Sequence, residues 1–243
     1  MRSAMRRWAR ALLPALLPCC CALCGAGCDA AVCAPCQRRY LDPGAPRCPR
    51  CANPCAPADA QLPCGACQLM RPAFDATVSA ADYAAPLDQL VMQLKFGGTL
   101  ALAPWCAQAL GAAVRARPAL ELPELLCPVP LGPQRLAERG FNQALEIARP
   151  LAAALDVGLQ PRLAVRARDT AAQSGVAPGQ RRANIRHAFV VAPDALALVR
   201  GRHIGVVDDV MTSGHTLHEL AATLKRFGAA RVSNFVFART PPR

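Results

Sequence analysis

The sequence predicts an α/β fold: a mainly parallel, twisted sheet flanked by helices in residues 71–243, preceded by a small cysteine-rich unit in residues 1–70. Three observations predict it. Twelve of the fourteen cysteines lie between Cys19 and Cys67. From about residue 71, β-branched apolar runs alternate with segments of helical periodicity, as strands joined by helical crossovers do. One of those runs, "HIGVVDD" at 203–209, is almost continuously apolar up to its aspartates, as a central strand covered on both faces must be.

The cysteines come as four Cys-x-x-Cys pairs: Cys21/Cys24, Cys33/Cys36, Cys48/Cys51 and Cys64/Cys67. Disulfides need an oxidising compartment. Pairs two residues apart instead present two thiolates to one ion from a tight turn. Four pairs supply two closed, four-thiolate shells, which suits about two structural zinc ions and a reducing, cytoplasmic setting. Sequential pairing is the simplest, an interleaved pairing meets the same count, and Cys19, Cys20, Cys28 or Cys55 could stand in for a ligand. An iron–sulfur cluster and a redox dithiol are the competing readings. Gly25 and Gly65 suit the positive φ that such turns often require. Large apolar residues are few here, so metal is expected to supply much of the folding energy.

Residues 1–18 are basic and then apolar, as a signal peptide is, but Pro14 and Pro18 interrupt the run and no small-residue cleavage site follows. An amphipathic segment docked on the body is expected instead. No run approaches the ~18 apolar residues of a membrane span.

In the body, "FDATVSA" (74–80) reads as a strand. "PLDQLVMQLKF" (86–96) reads as a helix with Pro86 at its start and Leu87, Leu90, Val91 and Leu94 on one face. "ELLCPVP" (124–130) is a strand ending in a proline-bounded loop. Asn142 caps a helix through "QALEIA" that Pro150 ends or kinks. Residues 203–209 form the central strand, 217–228 a helix with Leu217, Leu220, Ala221 and Leu224 inward, and "VSNFVF" (232–237) the last strand.

Asp208 and Asp209 therefore fall at the carboxyl end of a buried strand, and Thr212, Ser213, Gly214, His215 and Thr216 form the loop entering the next helix. Ligands of open α/β sheets bind at that edge. Backbone N–H groups at a helix start, with Thr and Ser hydroxyls, suit a phosphate dianion. Paired carboxylates suit vicinal hydroxyls, with or without magnesium. A phosphate cradle beside a diol clamp describes a ribose 5-phosphate. Adjacent aspartates also begin turns, but the hydroxyl loop and helix in register favour a site. The formal net charge is +12, almost all from arginine, since Lys95 and Lys225 are the only lysines. A coding bias toward Arg and Ala accounts for part of this, and an anionic partner, phosphate or nucleic acid, for the rest. Lys95 ends its helix, where the dipole already favours a cation.

"VVDDVMTSGHT" (206–216) resembles the phosphoribosyl pyrophosphate (PRPP) signature of type I phosphoribosyltransferases. With "PVPLGPQRLAERGFNQA" (128–144), "RARDTAAQSGVAPGQRRANIRHAF" (166–189) and "LLPCCCALCG" (16–25), nearly the whole chain is similar to the ComF family, a double zinc ribbon followed by a type I phosphoribosyltransferase domain. The resemblance implies that Asp208 and Asp209 hold the ribose hydroxyls as the catalytic acidic pair, with Mg2+ accompanying PRPP. It implies that residues 212–216 hold the 5-phosphate and that Val129, Pro130 and Leu131 hold pyrophosphate, with Arg135 and Arg139 neutralising it as it leaves. Residues 166–186, with Arg168, Gln173, Arg181, Arg182 and Asn184, correspond to the family's mobile loop. The chain departs at His215, where a small residue is commoner, and at Cys19–Cys21, a triple where one cysteine is usual.

The resemblance also implies a role in DNA uptake and natural transformation, with single-stranded DNA and DNA-uptake proteins as partners. Two functions remain: a transferase moving ribose 5-phosphate from PRPP to a nitrogen nucleophile, and a non-catalytic module handling single-stranded DNA. The complete acidic pair and hydroxyl loop favour PRPP binding, since DNA contact does not need a diol clamp. Aromatic residues make up 5% of the chain, sparse for a base-stacking platform. Phe141 is either a stacker or a buried anchor.

Overall fold

The computed structural model describes residues 19–166 and 188–242. The expected docking segment (1–18) and the mobile-loop residues Arg168, Gln173, Arg181, Arg182 and Asn184 lie outside the described residues. The strands, in chain order, are β1 (Ala76–Asp82), β2 (Leu125–Pro128), β3 (Gly158–Leu159), β4 (Ala164–Arg166), β5 (Phe189–Val191), β6 (His203–Met211) and β7 (Arg231–Arg239). Five of them form one parallel sheet in the order β1-β7-β6-β2-β3, and β4 and β5 make a separate antiparallel pair. The register sets Val78 opposite Phe235, Val207 opposite Phe235, and Cys127 opposite Val206.

The helices are α1 (Ala34–Tyr40), α2 (Gly65–Leu69), α3 (Leu87–Phe96), α4 (Leu102–Arg115), α5 (Pro133–Arg139), α6 (Gln143–Leu155), α7 (Leu196–Val199) and α8 (His215–Arg226). On one face of the sheet, α3, α4 and α6 pack over Val207, Phe235 and Phe237. On the other, α8 sets Leu217, Leu220, Ala221 and Leu224 against Ile204, Val206, Val232 and Val236. β6 is thus covered on both sides, and its apolar run follows from that burial.

Two expectations change, and one helix was not anticipated. The central strand continues two residues past Asp209, to Met211. Pro150 neither ends α6 nor stops its buried face, because Ile147, Ala148, Leu151 and Ala152 pack inward while Pro150 itself is only half-buried. The carbonyl that loses its partner there is that of Glu146, a residue that is itself only half-buried. Helix α4 escapes the periodicity argument because it is buried nearly all round, from Leu102 to Val114.

The cysteine-rich unit is built into both cores. Cys21, Val32 and Cys36 join the core under α4 and α6, while Cys48, Cys51 and Cys67 join Phe74 and the α8 core. The second cysteine segment also covers the edge of the sheet. Thr77 of β1 donates its N–H to the Pro49 carbonyl (3.1 Å) and its hydroxyl to the Arg50 carbonyl (2.7 Å), which satisfies an otherwise open edge strand. Arg47 donates to Asp82 at the end of β1 (2.7 Å) and to the Ala52 carbonyl.

The two cysteine segments turn alike, with one difference. After Cys24 the turn residue is Gly25 at φ +74°, and after Cys51 it is Ala52 at φ +56°. Each donates its N–H to the carbonyl of the first cysteine, at 2.9 Å. Gly65, by contrast, opens α2. A left-handed Ala costs ~1–2 kcal/mol, of which Gly's greater unfolded-state entropy cancels about half. Ala52 is fully buried, so losing its methyl costs a further ~0.8 kcal/mol, and Ala52→Gly is expected to leave Tm within about 2 °C of the parent, read by thermal unfolding of the metal-loaded protein.

Candidate functional site

The eight paired cysteines form two groups of four, Cys21/Cys24/Cys33/Cys36 and Cys48/Cys51/Cys64/Cys67, whose sulfur atoms all lie within 4.8 Å of one another in each group. The pairing is sequential. Cys24 and Cys33 sulfurs are 3.7 Å apart and those of Cys51 and Cys64 3.6 Å. A tetrahedron with metal–sulfur bonds of ~2.3 Å has edges of ~3.8 Å, so both groups have the dimensions of a four-thiolate metal site and are compatible with structural zinc. Backbone amides already favour thiolates. Cys33 N–H points at Cys21 Sγ (3.3 Å) and Cys64 N–H at Cys48 Sγ (3.2 Å). Burial pushes the Cys21 thiol up, but the amides of Cys33, Cys24 and Leu23 outweigh it and bring the pKa down to about 6. Hydrogen bonding from Cys51 brings Cys48 down to about 4. Cys36 is held up to about 12 by Cys33 and burial, and Cys67 to about 12 by burial. Four thiolates need a cation to coexist. Cys28, whose thiol donates to the Ala30 carbonyl, and Cys19, Cys20 and Cys55 lie outside both groups.

At the carboxyl edge of the sheet, β6 delivers the acidic pair and then the loop. Gly214 caps α8 at φ +78°, and a Cβ there would lie 2.6 Å from Met211 Cε, so the turn requires glycine. Thr212 and Ser213 are exposed, and Gly214, His215 and Thr216 half-buried. The Ser213 hydroxyl and His215 Nδ1 share a hydrogen bond of 3.0 Å. His215 is thus accommodated as the first residue of α8.

The two aspartates are not equivalent. Asp209 is 2% exposed, accepts from Val210 N–H (2.8 Å) and faces Lys95 Nζ at 2.9 Å. Asp208 keeps a solvent-facing edge and accepts from Asp209 N–H (2.9 Å). Its carboxyl is held well above the usual carboxylate range, first by burial among protein atoms and then by the charge of Asp209, with Lys95 opposing. Asp208 is thus the more accessible member, and Asp209 is the buried one. Cys106 on α4 lies close enough to Asp209 that burial and that charge keep its thiol protonated, and burial does the same for Cys127; both are core residues.

Beside the pair opens a cleft of about 630 Å³, lined by Lys95, Phe96, Leu131, Arg135, Arg139 and Phe141 among others. Arg139 stacks over Phe96 (5.3 Å) and donates to the buried Gln143 side chain. Burial lowers its pKa, Asp209 and Asp208 oppose this, and Arg135 adds to it, so Arg139 lies within electrostatic range of all three. In the 129–131 loop, Val129 N–H is committed to the Val207 carbonyl (2.9 Å) and Pro130 has no N–H. Val129 therefore shapes the loop, and Leu131 and Gly132 carry its remaining amides. Asn142 both caps α6, accepting from Ala144 N–H, and donates to the Val129 carbonyl (3.0 Å). That second contact and the Lys95–Asp209 pair were invisible in sequence, since both join residues far apart in the chain.

Residues 142–242 match the phosphoribosyl transferase domain family. The DNA utilization protein YhgH of Escherichia coli O157:H7 is 37% identical over 196 residues, 79% of this chain and 84% of that protein. The YhgH protein of Salmonella typhimurium is 36% identical over 213 residues, 86% of this chain and 89% of that one. Competence protein F of Haemophilus influenzae is 32% identical over 179 residues, 72% and 78% of the two chains. The chain belongs to the ComF family. It has a type I phosphoribosyltransferase fold, with Asp208, Asp209 and the 212–216 loop at the carboxyl edge of the sheet. Among the described residues, no helix is long and apolar enough to cross a membrane.

Asp208→Asn removes a carboxyl whose folded-state pKa stands above its unfolded value. Such a group contributes stability below the unfolded pKa, about 3.9, and loses it as pH rises through the folded value. The variant is expected to melt with the parent near pH 3 and above it at neutral pH, in Tm measured against pH.

Proposed function

We propose that this protein binds PRPP or a related ribose 5-phosphate group and acts in DNA uptake or utilisation. The observation that supports the reading is that β6 brings Asp208 to the sheet edge just before the 212–216 loop and within electrostatic range of Arg139, which lines the basic cleft. Asp208 and, from beneath, Asp209 would meet the ribose hydroxyls. The loop amides and hydroxyls would take the 5-phosphate, with the start of α8 favouring negative charge. Leu131, Gly132, Arg135 and Arg139 would face the pyrophosphate. Mg2+ bound with PRPP would supply further charge neutralisation there. Ligand hydroxyls and a cation would also replace the solvent that Asp208 lacks, so binding should draw its proton off. The DNA role rests on the names of the relatives in enteric bacteria and Haemophilus. The metal in the two cysteine groups is zinc on this reading, closed to chemistry because all four positions of each are protein thiolates. Reduced thiolates support a cytoplasmic location on this reading.

The cationic cleft favours a second, catalytic reading. Pyrophosphate leaving the anomeric carbon gains charge beside Arg135 and Arg139, and fixed cations stabilise such a transition state more than the ground state. A nitrogen nucleophile would then attack that carbon. Single-stranded DNA is the macromolecular alternative for the same arginines.

Calorimetry with PRPP and Mg2+ is expected to show binding, and Asp208→Asn to weaken it about 10–100-fold, the worth of hydrogen bonds to a charged group. Equal affinity in that variant would remove the diol assignment. Elemental analysis is expected to find two zinc ions per chain, one for each group of four cysteines; iron in their place would overturn the zinc reading. Pyrophosphate release across a panel of bases and nucleotides separates the catalytic reading from binding alone. Affinity for single-stranded DNA that falls steeply with salt would mark the arginines as phosphate contacts.

A further inference from the structure

Arg239, the last residue of β7, is buried, and it belongs to none of the groups assigned above. Its Nε donates to the carbonyl of Cys51, a member of the second cysteine group, at 3.0 Å. One terminal nitrogen reaches the carbonyls of Met211 (3.1 Å), Thr212 and Thr240 (2.6 Å). One guanidinium therefore ties the second cysteine group to the first two peptides of the 212–216 loop.

The consequence follows from peptide planarity. A carbonyl and the next residue's N–H lie in one plane and point in opposite directions. Turning the Met211 and Thr212 carbonyls toward Arg239 turns the N–H groups of Thr212 and Ser213 away from it, to the loop's other side. It also withdraws two carbonyl oxygens that would repel a phosphate. The Met211 carbonyl is also held by Thr240 N–H (3.0 Å) in the β6–β7 ladder, so the Thr212 peptide is the one whose orientation depends on Arg239, and a cavity of about 410 Å³ lies between Cys51 and Cys67 on one side and Gly214, His215 and His218 on the other. A second strut spans the same gap: Ala73 N–H, just beyond the second group, donates to His218 Nδ1 (3.1 Å) in the first turns of α8. The first cysteine group has no such link. Among the described residues, the hydrogen bonds of segment 19–41 stay inside that segment.

We propose that Arg239 is a positioning residue that makes sugar-phosphate binding at 212–216 depend on the metal-filled state of the second cysteine group and not of the first. This rests on the ribose-phosphate reading above. An ion held by Cys48, Cys51, Cys64 and Cys67 fixes the Cys51 peptide, which fixes the guanidinium, which orients the loop amides. Loss of that ion frees the Cys51 carbonyl and lets the loop relax.

Coupling between two binding sites is reciprocal. Ribose 5-phosphate should therefore strengthen metal retention by the second group alone. The test extracts zinc from the full-length protein with a zinc-selective chelator, with and without saturating ribose 5-phosphate, and maps the opened group by alkylating its cysteines and mass spectrometry. The expected result is a rise of at least about fivefold in the chelator concentration that opens the second group, at the low end of typical couplings, with the first group unmoved. Arg239→Lys keeps the charge but not the fork that spans two carbonyls. It should retain both ions and lose the shift. Calorimetry on the native protein separates the failures. If ribose 5-phosphate binds and the second group's retention does not move, or Arg239→Lys keeps the full shift, the coupling is wrong and the ribose-phosphate reading stands. If the native protein binds neither ribose 5-phosphate nor PRPP, the ribose-phosphate reading fails and the coupling falls with it.

Discussion

Two carboxylates at the end of a strand buried on both faces repel each other where water screens them poorly. At an effective dielectric constant of ~20, unit charges ~4 Å apart interact by about 4 kcal/mol. A single ammonium at 2.9 Å from Asp209 offsets a repulsion of that order for one carboxylate only. Lys95 pairs with Asp209, and Asp208 is left with a raised proton affinity. The rest of the edge conforms to this. Helix α3 must end where its lysine can reach under β6, and Arg139 must hold its charge close by. The open carboxyl is stabilised only when something from solution completes its surroundings.

The cysteine-rich unit is less separate than a small leading module would be. Its first group enters the core below α4 and α6 and its second the core below α8, so the two lie on opposite faces of one sheet. The second segment also supplies the partners of edge strand β1 at Thr77. A parallel sheet needs covered faces and a guarded edge, and this unit contributes to both. The ordering of four thiolates around an ion, which a short cysteine-rich stretch cannot achieve by apolar burial alone, is then felt by the sheet itself. On the coupling proposed above, Arg239 takes that influence to the loop.

The sequence on its own determined the features that depend on neighbouring residues. The run 203–209, the capping Asn142, the inward face of α8 and the spacing of the cysteine pairs are local patterns, and local sterics and periodicity give them meaning. They placed the central strand, both ends of the candidate site and the family. Tertiary structure decided what depends on residues distant in the chain. It ran the strand on to Met211, carried α6 past Pro150 and set Lys95 under Asp209. It spent Val129 N–H on Val207 and passed its carbonyl to Asn142. It closed the cysteine groups in sequential order where spacing allowed two, and it placed Arg239 between Cys51 and Thr212. The physical reason is the same throughout: a backbone pattern is written in neighbours, whereas the partner of a buried charge or carbonyl is whichever group the packed fold brings within about 3 Å.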